Sequence, residues 1–354
     1  MRSVDAKKDF GIKNSTNKGV NIMKKTTLIL TVIGLIIIGC ENQEDSYADR
    51  ESELLSLLDD DDALGLEGLD DGDAVDDEYT ADSLESAGKI NLGKVMEVFH
   101  PDSGYIYKFG RKITSKTKTI TYTHGDDFSI ANITWTISGD FICGVIDTAT
   151  ADTNKTEKPF TSEFHRMVRF VEGNVTDWRG RRWRVDAFTM GTGSTDDIVA
   201  VTKLEYFTMN SENTWEPGFV ITSDEAETRW IQRDSIPTFY KGDSVKIEVS
   251  VTNNSDPVFD YKSGEGIVMH YGRHRYYKAR RKMHDDGIGP DAGENDNTFT
   301  KIWRIHGPGY YVFQPRPYRV FRAFFDVMDF GTLFDTEEDV HTAFWGLPYK
   351  VIRE

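Results

Sequence analysis

A run of basic and aromatic side chains between His270 and Lys282 is the most distinctive group of potential ligand contacts in the chain. Interleaved cations and phenol rings suit an anionic glycan, a lipid headgroup or a nucleic acid, through charge and stacking. The alternative is a solvated strand whose cations balance acidic loops or contact the acidic N-terminal segment. The candidate anionic-ligand surface consists of Arg273, Arg275, Tyr276, Tyr277, Lys278, Arg280 and Arg281.

Carboxylates are concentrated in the loop that follows, residues 284–297. Calcium prefers oxygen ligands, and several carboxylates in one loop can supply them. The sequence therefore offers a candidate calcium site as well as a surface loop. Its ligands would be Asp285, Asp286, Asp291, Glu294 and Asp296.

Adjacent carboxylates also raise the question of a hydrolase. A glycosidase needs two carboxylates about 5 to 9.5 Å apart across a cleft. Each adjacent pair instead falls in a glycine-rich turn, the usual place for Asp. No Gly-x-Ser-x-Gly elbow occurs, and no arrangement of Cys and His indicates a nucleophile. The three pairs are Asp126 with Asp127, Asp196 with Asp197, and Asp285 with Asp286.

Two further patterns fall short of a metal or cofactor site. His270 and His274 would lie about 13 Å apart on a strand, too far for one ion. Residues 88–95 nearly spell a P-loop, but no Ser or Thr follows Lys94 to hold magnesium. Cys143 lies between apolar residues and is expected to be a small buried side chain. We therefore expect no cofactor.

The stretch from Met23 to Cys40 has the layout of an export signal. Lys24 and Lys25 form a short positive region, and the apolar core from Leu28 to Ile38 is far shorter than the roughly 20 residues of a membrane-spanning helix. The last four residues, Ile-Ile-Gly-Cys, resemble the bacterial lipobox, in which the cysteine becomes the acylated first residue of the mature protein.

This resemblance implies a lipoprotein of the bacterial cell envelope, anchored through Cys40. Residues 1–22 would then be an upstream start-site extension and residues 23–39 the signal peptide. The acidic residues directly after Cys40 are similar to the export signal of surface-displayed lipoproteins of Bacteroidota-like bacteria, which implies the outer membrane and its exposed face. The alternative is an uncleaved signal anchor with an incidental cysteine.

The segment 40–87 is expected to be a disordered acidic tether. Residues 41–87 hold 19 acidic residues and one basic residue, so their net charge is 1 − 19 = −18. Self-repulsion and a lack of apolar surface oppose folding, and such a chain spans about 40 Å on average. The alternative is a helical turn that docks on a partner or on the folded domain through Leu54, Leu55, Leu57 and Leu58.

After Gly88 the chain reads as short strands rich in β-branched and aromatic residues, separated by turn clusters. No long stretch has a period of 3.6 residues, so we predict an all-β protein built from antiparallel β-sandwiches. Residues 242–257 alternate apolar and polar and resemble strands of bacterial immunoglobulin-like sandwiches.

The length favours two tandem domains, 88–238 and 239–354, with a boundary near Ile236 to Lys241. A single larger sandwich is the alternative. The predicted function is non-catalytic binding or assembly at the envelope, with a protein or glycan partner and no nucleic acid. The alternatives are a carbohydrate-active hydrolase and a structural subunit of an envelope complex.

Overall fold

The computed structural model describes twelve stretches of the chain, which together carry most of the region after residue 43. The predicted signal peptide and Cys40 lie outside them. The chain divides into two units at residue 50, and the second, residues 51–354, is compact. The described residues are 44–61, 63–66, 69, 74–76, 96–99, 104–147, 149–173, 180–255, 264–274, 277–305, 318–334 and 339–352.

Seventeen strands and three helices make up the described part of the chain, and none of these helices combines the length and apolar character needed to cross a membrane. The elements are α1 (Glu44–Asp60), β1 (Ala74–Asp76), β2 (Met96–Phe99), β3 (Tyr105–His124), β4 (Phe128–Asp147), β5 (Thr153–Glu172), β6 (Trp183–Phe188), β7 (Gly191–Ser194), β8 (Val199–Met209), β9 (Trp215–Thr222), α2 (Ser223–Ala226), β10 (Ile231–Gln232), β11 (Thr238–Tyr240), β12 (Ser244–Asn253), β13 (Glu265–His274), β14 (Tyr277–Lys282), β15 (Thr298–Arg304), β16 (Tyr318–Asp329), α3 (Phe330–Phe334) and β17 (Thr342–Ile352).

The protein is nearly all β, in antiparallel sheets with a curled, sandwich-like arrangement, which confirms the predicted class. The larger sheet has thirteen strands in the order β1-β14-β13-β16-β17-β7-β5-β4-β3-β2, with β6, β10 and β11 beside this path. The smaller sheet has the order β15-β12-β8-β9. Two pairs of the larger sheet are parallel, β1 with β14 and β11 with β17.

Two apolar cores follow from the alternation of side chains along the central strands. On β16, Phe321, Ala323 and Phe325 face the first core, which lies between the two sheets. Phe324 and Met328 of the same strand face a second core, which the β3–β5 hairpins and α3 enclose. Successive residues of a strand point to opposite faces, so β16 is buried on both sides.

Strand β12 shows the alternation of buried and exposed side chains in its simplest form. Its apolar residues from Val245 to Val251 are buried at every second position, and the residues between them are partly exposed. This is the alternation expected from the sequence of residues 242–257. A turn at Gly242, whose φ is +95°, precedes the strand and suits glycine because residues with a side chain rarely adopt this conformation.

Strand pairing crosses the predicted domain boundary near Ile236 to Lys241. Strand β12 pairs with β8, and β17 pairs with β7. Each of the two sheets therefore contains strands from both 88–238 and 239–354, and residues 51–354 form one compact unit. The division into two tandem sandwiches stays a prediction, since sequence length does not reveal which distant strands pair.

The N-terminal acidic segment differs from the disordered tether predicted for residues 40–87. Helix α1 covers Glu44–Asp60, and its residues Leu54 and Leu58, like the leucines of the following turn, are buried. Leu54 and Leu58 enter the first core, and Leu66 and Leu69 enter the second. The correction has a physical reason: the leucines supply the apolar surface that the acidic composition obscured.

The carboxylates of this segment are paired rather than left to repel each other. The Glu53 side chain accepts hydrogen bonds from the backbone N–H groups of residues 182 and 183. Asp59, Asp60 and Asp61 form ion pairs with Lys118, Arg181 and Arg233, at 2.8, 2.8 and 2.6 Å. Residues 51–69 are thus an integral part of the fold.

Candidate functional site

The predicted anionic-ligand surface centres on β14, one strand from the end of the larger sheet. Arg275 and Tyr276 lie outside the described residues, and Arg273, Tyr277 and Lys278 are described through their backbone alone. Strand β14 runs antiparallel to β13, with a register shift between Gly272 and His274. The basic residues therefore lie along the β13–β14 hairpin, next to β1 at the end of the sheet.

Two members of the predicted surface have side chains that the structure describes. Arg281 is partly exposed, and its Nε donates a hydrogen bond to the Tyr271 hydroxyl at 3.1 Å. Arg280 is only 1% exposed, so its side chain lies inside the fold rather than on the surface. This corrects its assignment to an exposed surface: alternation along the strand turns Arg280 inward.

A strip of buried charge lies on the face of β13 and β16 that meets the second core. The Arg111 guanidinium donates a hydrogen bond to Asp326 at 2.8 Å, and His270 lies 3.5 Å from the other oxygen of this carboxylate. Phe141 and Phe160 flank the guanidinium, at 4.8 and 5.3 Å. His270 therefore lies beside a buried ion pair of Arg111 and Asp326, in which each charge has the partner that a buried charge requires.

The edge of β14 carries a strand from the acidic N-terminal segment. Strand β1, Ala74–Asp76, pairs with β14 in parallel, with Ala74 opposite Lys278, Val75 opposite Ala279 and Asp76 opposite Arg280. The backbone of the basic strand thus pairs with the backbone of the acidic segment. Contact between the two was one of the alternatives drawn from the sequence.

The second candidate site is the acidic loop between β14 and β15. Carboxylate oxygens of Asp285, Asp291 and Asp296 lie within 4.8 Å of one another. Asp286 and Glu294, the other two predicted ligands, form an isolated antiparallel bridge across the loop and are not part of this group. The structure thus brings together three of the five predicted calcium ligands.

Hydrogen bonds account for the inward orientation of these carboxylates. The two oxygens of Asp285 accept from the N–H groups of residues 296 and 297, each at 3.0 Å. One oxygen of Asp291 accepts from the N–H groups of residues 286 and 287. The three carboxylates could also supply some of the six to eight oxygen ligands that calcium takes. Calcium binding therefore stays a prediction.

Burial and mutual repulsion raise carboxyl pKa values at this end of the molecule. The pKa of Asp285 is raised above its usual range by burial, and the charges of Asp291 and Asp296 add to this. The pKa of Glu265 is raised as well, by burial first and then by the charges of Asp285 and Asp329. Asn253 donates hydrogen bonds to both Glu265 and Asp329, at 3.2 and 3.0 Å.

A cavity of about 390 Å³ lies beside the acidic loop. Ile288, which is 71% exposed, and Ile302, which is 39% exposed, form its apolar part. His284, Asp286 and Lys301 supply its polar groups. This combination of exposed apolar and charged groups is compatible with a surface contact.

The remaining carboxylate pairs lie elsewhere. Asp196 hydrogen-bonds the Nδ1 of His341, and its other oxygen accepts from the N–H of Ile198. Asp126 and Asp127 are exposed in the β3–β4 turn. The partnership of Asp196 with His341 was missed from the sequence, since 145 residues separate them and no local pattern links them.

Cys143 is buried as expected. It is 1% exposed, burial raises the pKa of its thiol to about 12, and its Sγ lies 3.3 Å from the Leu333 carbonyl oxygen. A thiol with this pKa is almost entirely protonated at neutral pH and is a poor nucleophile.

Comparison with family models, with curated proteins and with solved structures found no match.

Proposed function

We propose that the chain is a lipid-anchored lipoprotein of the bacterial cell envelope whose β-body binds a partner at the basic end of its larger sheet, where β14 and β1 lie. The observation that carries the proposal is the position of β14: a strand rich in Lys and Arg lies at the rim of the sheet and is covered there by a three-residue strand. Backbone groups at a sheet edge pair readily with an added strand.

The lipid anchor is the part of the proposal that rests on sequence. Lipid chains contribute about 0.8 kcal/mol for each buried CH₂ group, so several chains on one cysteine hold a protein on a membrane durably. Leu54 is buried in the fold and lies 54 − 40 = 14 residues after Cys40, so only this length of chain connects the proposed anchor to the core. Because α1 begins at Glu44, this length of chain spans at most about 30 Å, much less than the contour length of about 160 Å of an extended segment 41–87.

Metabolic labelling with a palmitate analogue tests the anchor. We expect the wild-type protein to incorporate the label and to fractionate with membranes. A Cys40→Ser variant should lose both properties, while a Cys143→Ser variant should keep both, since Cys143 is buried. Equal membrane partition of wild type and Cys40→Ser would contradict the proposal.

Protease treatment of intact cells tests the location. A protein on the exposed face should lose its β-body to added protease without cell lysis, whereas a periplasmic control protein should survive. If the protein is cleaved only after the outer membrane is permeabilised, surface display is wrong and the anchor faces the periplasm.

A further inference from the structure

An exposed isoleucine lies at the tip of the acidic loop between β14 and β15. Ile288 is 71% exposed, more than any other large hydrophobic residue in the described part of the chain. Gly287 and Gly289 on either side have φ angles of +64° and +70°, a conformation that favours glycine. The flanking glycines thus permit the tight turn that presents Ile288 to solvent.

Hydrogen bonds fix this turn in the unbound protein. The N–H groups of Asp286 and Gly287 donate to the Asp291 carboxylate, at 2.7 and 2.8 Å. The N–H of Ile288 donates to the Asp286 carboxylate at 3.0 Å. A turn that is already ordered loses little conformational freedom when a partner covers it, so less of the binding energy is lost to ordering.

The cavity beside the turn has an apolar lining. Ile288 and Pro290 of the loop and Ile302 of β15 supply it, and Ile302 is 39% exposed. The cavity volume of about 390 Å³ falls within the range of roughly 300 to 1,000 Å³ found for ligand pockets. Exposed apolar groups around a concave site indicate an interaction surface. The cavity therefore suits an apolar side chain of a partner.

The charge of the loop favours a partner with basic residues. Residues 285–296 contain five carboxylates and no Lys or Arg. Asp286 is partly exposed, and Glu294 and Asp296 are exposed. Of the described residues that line the cavity, only Lys301 is a Lys or Arg, and its Nζ lies 3.3 Å from Nε2 of His284. Because the carboxylates outnumber this cation, Lys or Arg beside the apolar side chain of a partner would be complementary in charge.

We propose that this cavity is a docking site for a segment of a partner protein in which Lys or Arg residues flank an aliphatic side chain. The aliphatic side chain would occupy the cavity beside Ile288 and Ile302, and the flanking cations would face the exposed carboxylates of the loop. Burial of apolar area would supply affinity, and charge would select the partner. This surface belongs to the acidic loop and the smaller sheet, so the inference goes beyond the proposed function and does not depend on it.

Fluorescence anisotropy of labelled synthetic peptides with the full-length protein tests the inference. The probe Lys-Lys-Leu-Lys-Lys should bind, and its affinity should fall as salt concentration rises. An analogue with Gly in place of Leu keeps every charge and should bind about tenfold more weakly, because it buries no aliphatic side chain. The analogue Glu-Glu-Leu-Glu-Glu should show no binding, since its charges repel the loop.

Two variants separate the apolar part of the site from its charge. Ile288→Ser should weaken binding of the leucine probe about tenfold and leave binding of the glycine analogue unchanged. Glu294→Gln should weaken both peptides by the same factor of about two. Thermal unfolding should be nearly unchanged in both variants, since both residues are exposed. Leu55→Ser is a matched control, because it removes a 39% exposed aliphatic side chain from α1 and should leave peptide binding unchanged.

Equal affinity for the leucine and glycine peptides would reduce the contact to charge attraction and overturn the inference. Unchanged binding by Ile288→Ser, tighter binding of the glutamate peptide, or no binding of Lys-Lys-Leu-Lys-Lys to the parent would overturn it as well. None of these results changes the labelling and fractionation of Cys40→Ser, so the lipoprotein proposal is judged separately.

Discussion

At the scale of single residues, two buried carboxylates contribute to the electrostatics at one end of the molecule. Glu265 and Asp329 are 4% and 0% exposed, and both accept a hydrogen bond from Asn253. Gly331 and Thr332 also donate backbone N–H groups to Asp329. Burial raises the pKa of Glu265.

Glu265→Gln should change how stability depends on pH. A carboxyl group whose pKa is raised on folding binds more protons in the folded state, so stability falls as pH increases from the usual pKa of Glu through the raised one. Glutamine keeps an oxygen acceptor for Asn253 but cannot ionise. Urea unfolding between pH 4.5 and 8 should show the variant gaining stability relative to the wild type as pH rises.

A matched control is Glu157→Gln. A hydrogen bond from Lys155 lowers the pKa of Glu157, which is fully exposed. The contribution of that carboxylate is lost only as pH falls through its lowered pKa, so the difference from wild type should stay flat between pH 5 and 8. A flat difference for Glu265→Gln over the same range would show that this residue ionises normally.

At the scale of elements, helix α1 was harder to predict from the sequence than the strands. The strands were predictable because alternation and β-branched residues report burial directly, as in β12. The helix was not, since 19 carboxylates in 47 residues indicate disorder by composition, and the ion pairs that offset them come from residues far along the chain. The leucines at 54–58 were the one local signal, and they supported the alternative interpretation.

The same limit applies to the candidate sites. The acidic loop was predictable, because five carboxylates in a dozen residues must lie close together, and the structure groups Asp285, Asp291 and Asp296. The inward direction of Arg280 and the pairing of β1 with β14 depend on which distant strands are neighbours. No local pattern carries that information.

Leu54→Ala should destabilise the protein by about 2 to 5 kcal/mol, because Leu54 is 0% exposed and the truncation leaves a cavity in the core. The neighbouring Leu55 is 39% exposed, so Leu55→Ala should change stability by less than about 0.5 kcal/mol. Chemical unfolding of the two variants measures the difference. Equal effects of the two substitutions would contradict the packing of Leu54 in the core and would favour a tether.

At the scale of the whole molecule, one short strand joins the two halves of the larger sheet. Strand β7, Gly191–Ser194, pairs with β17 on one side and β5 on the other, and so joins the two halves of the strand order. Phe164 and Phe344 are both opposite Gly193 and stack with an interplanar angle of 4°. The absence of a side chain at Gly193 makes room for these rings.

Gly193→Ala should therefore destabilise the fold by about 1 to 3 kcal/mol through overpacking. A Cβ atom at this position would lie 2.3 Å from the Phe344 ring and 2.9 Å from the Glu163 carbonyl oxygen. Gly218 in β9 is a suitable comparison, because a Cβ atom there would meet its nearest neighbour at 3.7 Å. Thermal unfolding should show a clear loss for Gly193→Ala and little change for Gly218→Ala, and similar losses would argue against this role for β7.

Because the buried leucines between Leu54 and Leu69 belong to the cores, the proposed lipid anchor has a consequence for proteolytic release: the position of the cleavage would decide what is released. A cleavage on the lipid side of Leu54 would free a body with all of its interior side chains. A cleavage after Leu69 would remove five buried leucines from it and leave a remnant prone to aggregation and degradation. If the proposed anchor at Cys40 is present, release of an intact body would thus require cleavage between Cys40 and Leu54.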